Sequence, residues 1–170
     1  MIIVCPYSAV QALVAQHKVA HVVSLLAPET EHLTIASIDQ RRHLRLTFHD
    51  IIEEMEGLVT PQPRDSEKLI RFVDEWDRAD PMLIHCWAGI SRSMASAFTV
   101  LCDRLGPGRE IEIARAMRRR APHAAPNTLL VAHADAALGR GGAMIAALNT
   151  MGPARMVEEG ALTDLPLVGL

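Results

Sequence analysis

Pro81-Met82-Leu83-Ile84-His85-Cys86-Trp87-Ala88-Gly89-Ile90-Ser91-Arg92-Ser93 is the stretch on which the reading of this chain turns. Pro81 to His85 is a short apolar run and reads as a buried strand. Gly89 marks a tight turn, and Met94, Phe98, Leu101 and Leu105 follow on a helical segment that Gly106-Pro107-Gly108 ends. Short apolar runs and helical-period segments alternate outward in both directions, the pattern of an α/β fold with a central, mostly parallel sheet flanked by helices.

Ile2-Ile3-Val4 reads as the first strand, and Ser8 with Gln11 as the capping box of a helix through Val10, Leu13, Val14 and His17. His21 to Leu26 is a second strand. The polar connection 28–40 leads to Leu44-Arg45-Leu46-Thr47-Phe48, which alternates as a strand with one exposed face. Residues 49–64 carry Gly57, Pro61 and Pro63 and read as loop. A helix follows with Asp65 or Ser66 as its cap and Leu69, Phe72, Val73 and Trp76 on one face. Three more helices are expected over 110–119, 127–138 and 143–151. One domain, 1–151, accounts for all of this, and the tail 152–170 either packs through Leu165, Leu167 and Val168 or is mobile.

Composition narrows the function classes. With 170 residues, a single domain is expected. A formal net charge of −3 provides no field for a polyanion, so neither nucleic acid nor an anionic membrane is an expected partner. No apolar run reaches the ~18 residues of a membrane span, and the start lacks the pattern of a secretory signal. Three cysteines, Cys5, Cys86 and Cys102, are too few for a disulfide framework. A reduced, cytoplasmic location is the expectation. Oligomeric state is not legible.

The chemistry concentrates between the strand and the helix. There, the N–H groups of a tight loop and of a helix N-terminus converge on one spot, an arrangement suited to an anion. A cysteine in such a ring of donors is favoured as thiolate, the reactive form. Trp87, Ala88, Gly89, Ile90 and Ser91 would supply backbone donors, and Gly89 lets the chain turn without a Cβ in the way. Arg92 offers a planar fork that pairs two oxygens of a phosphoryl group. Ser93 is placed to donate its hydroxyl to the sulfur. His85 is read as shaping the loop backbone.

The order His85-Cys86, Ala88-Gly89, Ser91-Arg92-Ser93 resembles the signature of the cysteine-dependent protein tyrosine phosphatases, in their dual-specificity-like branch. Pro126-Asn127 is similar to an element of that family that braces the phosphate loop, although Asn127 reads equally as a plain helix N-cap. The low-molecular-weight branch is disfavoured because Cys86 lies mid-chain. The lipid-phosphatase branch is disfavoured because the loop carries no lysine.

The resemblance implies hydrolysis of a phosphomonoester in two steps without metal or cofactor. Cys86 attacks phosphorus, a carboxylic acid protonates the leaving oxygen, and water then cleaves the phosphocysteine. Asp50, at the end of the 44–48 strand, is the expected acid, with Asp39 in reserve. Expected substrates are a phosphorylated protein, phosphotyrosine first and phosphoserine or phosphothreonine second, or a small phosphomonoester.

The bland readings stand beside these. Asp50 would be a turn-former, Arg118-Arg119-Arg120 the basic end of a helix, and Cys5 and Cys102 core residues. His49-Asp50 is the dipeptide of a metal-dependent phosphohydrolase class, disfavoured because it follows a strand. The alternative function is a catalytically inactive module that binds phosphate or phosphopeptides. Sulfur or arsenate chemistry on a related loop is a third option.

Overall fold

The computed structural model describes residues 1–169. Five strands form one sheet: β1 Ile2–Pro6, β2 His21–Leu26, β3 His43–Thr47, β4 Met82–Cys86 and β5 Thr163–Leu165. Their spatial order is β3-β2-β4-β1-β5. The pairs β3–β2, β2–β4 and β4–β1 are parallel, and β5 runs antiparallel to β1.

Six helices complete the domain: α1 Val10–Gln16, α2 Pro63–Asp74, α3 Arg92–Leu105, α4 Glu110–Arg120, α5 Thr128–Ala137 and α6 Ala143–Asn149. The period-two alternation of the strands decides which face each residue joins. Ile2, Val4, Val23, Leu25 and Ile84 meet side chains of α2 through α6 in the main core. Ile3, Cys5, Val22 and Leu83 meet α1 and Ile35 in a smaller core on the other face. A sheet covered on both faces explains why β1, β2 and β4 are apolar nearly throughout. Among the described residues no helix is long and apolar enough to cross a membrane.

Local chemistry moves several boundaries. No capping box forms at Ser8 and Gln11, because Tyr7–Ala9 make a 3-10 turn and α1 begins at Val10. Ser8 donates instead to Glu159, and Gln11 to the Thr34 carbonyl. Neither Asp65 nor Ser66 caps α2. Gln62 is the N-cap and Pro63 opens the helix, where its missing N–H costs nothing. Asp65, one turn in, accepts the Gln62 N–H at 2.9 Å, and Ser66 donates to Leu130 of α5. α6 stops at Asn149, short of the expected Met151. The tail does not hang free: β5 adds to the sheet edge beside β1 and buries Leu165, while Val168 is exposed.

Candidate functional site

β4 delivers His85 and Cys86 to opposite faces of the sheet, and α3 begins six residues after the cysteine at Arg92. Between them the chain curls tightly enough for the Gly89 N–H to reach the Cys86 Sγ at 3.3 Å. Ser93 Oγ stands 3.2 Å from the same sulfur. Gly89 adopts φ +72, and a Cβ there would lie 2.8 Å from the Pro6 nitrogen and 2.9 Å from the Cys5 carbonyl carbon. Only glycine lets the loop lie against the end of β1.

Arg92 is buried and donates from one terminal nitrogen to the Phe48 carbonyl at 2.9 Å. Its Nε has no hydrogen-bond partner among the described residues. No side-chain cap satisfies the first turn of α3 either. A buried guanidinium donor and an uncapped helix N-terminus at one loop are unmet demands for an acceptor, and an anion satisfies both.

Asp50 lies beside this loop, because β3 and β4 run parallel and end at the same edge of the sheet. Its Oδ1 accepts from Ser91 Oγ at 2.7 Å and from Asn127 Nδ2 at 2.9 Å. Its Oδ2 lies 3.8 Å from Arg92 Nε. Asn127 serves two purposes. Its side-chain oxygen caps α5 through the Leu130 N–H, while its amide donates to Asp50 and to the Ile51 carbonyl. The backbone preceding it is tied in as well, since Ala125 N–H donates to the Ile90 carbonyl.

Asp39 is at the other end of the molecule. It precedes β3 and shares a recess with Lys18 and Asp80, which precede β2 and β4. Parallel strands put their starts and ends on opposite edges, so Asp39 does not reach Cys86. Its carboxyl is held below the usual range by the Arg41 side chain and N–H, which suits a cap and not a proton donor. His49 is engaged on both ring nitrogens, by the Val59 N–H and by Glu29. Of the arginine triplet, Arg118 binds the carbonyls of Met151, Pro122 and Gly152 and fastens the tail. Cys5 and Cys102 are buried, and burial raises the Cys5 thiol to about 12.

Three features of the site were not anticipated. Trp87 is exposed and stacks on Tyr7, with centroids 5.6 Å apart, and the Tyr7 N–H donates to the Trp87 carbonyl. The tail crosses the outside of the loop, where the Gly160 N–H donates to the Ala88 carbonyl at 2.8 Å. A Cβ on Gly160 would stand 2.8 Å from the Gly89 carbonyl oxygen and from the His123 ring. Gly160→Ala should therefore cost about 1–3 kcal/mol as overpacking against the loop. Thermal unfolding and phosphate titration of the variant check this, and an unchanged melting point and affinity would contradict it.

The third is a buried polar chain across three strands. Ser24 Oγ on β2 lies 2.7 Å from His43 Nε2 on β3 and 2.6 Å from His85 Nε2 on β4. The only sequence signal was a serine inside the apolar run His21-Val22-Val23-Ser24-Leu25-Leu26. Burial pushes both histidines down to about 4. Arg45 and His85 add to the effect on His43; at His85 the Cys86 carbonyl partly opposes it and His32 adds to it.

Both imidazoles are neutral in the folded chain at neutral pH, whereas in the unfolded chain they bind protons below about 6.5. Their stabilisation is therefore complete above that value and is lost as the pH falls toward 4. Each should remove on the order of 1–2 kcal/mol between pH 7 and 5. Denaturant melts at pH 7, 6 and 5 test this, and a flat profile would contradict it.

Searches against known proteins find relatives at the level of structure alone. No protein-family model matches the chain, and no curated protein matches it. A solved structure of the human tyrosine phosphatase-like serine/threonine/tyrosine-interacting protein superposes with a TM-score of 0.62 at 20% identity, covering 81% of this chain and 91% of that one. DUSP15 superposes at 0.60 and 17% identity, covering 88% and 87%. The Yvh1 phosphatase domain from Chaetomium thermophilum does so at 0.54 and 22% identity, covering 84% and 93%. With a Cys86–Arg92 loop joining the central strand to its helix, the chain has the fold of the cysteine-dependent protein tyrosine phosphatases.

Proposed function

We propose that this protein is a phosphoric monoester hydrolase that works through a phosphocysteine, with phosphotyrosine as its preferred substrate class. The observation that carries the reading is the buried Arg92 Nε at the sulfur-centred loop, which has no hydrogen-bond partner among the described residues and meets Asp50 only at 3.8 Å. A phosphoryl group seated on the amides of residues 87–92 would take the orphaned donor and place phosphorus against Sγ.

In the first step the Cys86 thiolate forms an S–P bond as the P–O bond to the leaving group breaks, and Asp50 gives its proton to the departing oxygen. Oδ1 of Asp50 is already occupied by Ser91 and Asn127, so Oδ2 is the oxygen left to carry that proton. In the second step water attacks phosphorus, Asp50 accepts its proton, and the S–P bond breaks. Ser93 Oγ, within reach of Sγ, stabilises the departing thiolate. Arg92 spreads the charge of the equatorial oxygens in both steps.

Substrates of this kind are a phosphorylated protein or a small phosphomonoester. Turnover of an aryl phosphate by the purified chain between pH 5 and 7 tests the reading. Measurable phosphopeptide affinity without turnover of any aryl phosphate would replace it with the binding-module alternative.

A further inference from the structure

We propose that Ser24 and His43 are positioning residues for the phosphate loop: together they hold His85 in the tautomer that carries its proton on Nδ1, and so orient the Cys86–Trp87 peptide. The inference rests on the phosphate reading of that loop for its purpose, although its geometry stands alone.

A serine hydroxyl has one proton to donate and two lone pairs to receive. Ser24 Oγ meets the Nε2 atoms of two neutral imidazoles, at 2.7 and 2.6 Å. It can donate to one of them only. The other must carry its own proton on Nε2 and donate to the serine oxygen. Were both rings to donate, the buried Ser24 O–H would have no acceptor among the described residues, so the two rings take opposite tautomers and the chain has two self-consistent directions.

The end at His85 chooses between them. His85 Nδ1 faces the Cys86 carbonyl oxygen at 3.4 Å. With the proton on Nδ1 this is a hydrogen bond, whereas with the proton on Nε2 two lone pairs face each other in a buried site. The chain consequently runs from His43 Nε2–H to Ser24 Oγ, from Ser24 O–H to His85 Nε2, and from His85 Nδ1–H to the Cys86 carbonyl. Strand register supports it, since Ser24 is the direct partner of His85 on β4. All three residues are buried.

The consequence for the site follows from the peptide. No cis bond occurs among the described residues, so the Cys86 C=O and the Trp87 N–H point in opposite directions. Holding the carbonyl toward His85 turns the first N–H of the loop toward the side where the anion sits.

The test uses the full chain with nitrogen-15-labelled histidine at pH 7, reading the tautomers from two-bond proton–nitrogen spectra and assigning rings with His43→Gln. The expected result is Nδ1–H for His85 and Nε2–H for His43. An Nε2–H tautomer at His85 in the unaltered chain overturns the proposal, with no variant needed. Ser24→Ala removes the hydroxyl that donates to His85 Nε2 and leaves the Cys86 carbonyl alone to favour Nδ1–H, so a share of the Nε2–H tautomer should appear and inorganic phosphate binding should weaken about tenfold. A Ser24→Ala protein that keeps the single tautomer and the full affinity also overturns it. Failure of the unaltered chain to bind phosphate is a separate outcome, which sinks the reading of the loop and not the tautomer assignment.

Discussion

Cys86→Ser is expected to abolish turnover of a small aryl phosphate, by about 10⁴-fold or more, while phosphate binding persists. The asymmetry follows from where the two properties reside. On the proposed reading binding draws on the loop amides, the first turn of α3 and the Arg92 fork, all of which the substitution leaves in place. Turnover requires an atom that can attack phosphorus as an anion, and a serine hydroxyl, unlike a thiol, does not ionise near neutral pH. The exchange is structurally mild, since Ser93 Oγ and the Gly89 N–H can bond oxygen as they do sulfur. Steady-state kinetics together with calorimetric phosphate titration decide the matter. Retained turnover would remove Cys86 as the nucleophile and the proposed function with it.

Asp50→Asn is expected to lower the rate by about 100–10,000-fold, the usual worth of general acid–base help. Asparagine is the informative replacement because Asp50 also has a structural duty. Its Oδ1 holds Ser91 and Asn127 in place, and an alanine would release both sides of the loop at once. The amide oxygen of asparagine can keep those two bonds while losing the proton. The loss should therefore fall on kcat, with KM nearly unchanged, and it should shrink for a leaving group that needs no proton. Equal losses on both kinds of leaving group, or a loss confined to KM, would reduce Asp50 to a brace of the loop.

Much of the fold was legible because it depends on local periodicity. β2 was read at its observed bounds, and α3, α4 and α5 lie within a few residues of their expected ends. Caps were less legible. Asp65 looks like a helix start and instead sits one turn in, because Pro63 makes a better first residue. The loop residues from Cys86 to Ser93 were recognisable because one short segment contains all of them. Choosing between Asp50 and Asp39 required only the direction of the strands, which puts one at each edge of the sheet.

The amino-acid order alone determined the alternation of strands and helices, the strand-loop-helix that carries Cys86 and Arg92, and the candidacy of Asp50, because each depends on neighbours within a few residues. The tertiary structure alone decided that Gly160 presses on the Ala88–Gly89 backbone, that Asn127 ties Asp50 to α5, and that one hydroxyl joins His43 to His85. Such contacts join residues tens of positions apart, and their partners are named by strand register and packing, which no local pattern encodes.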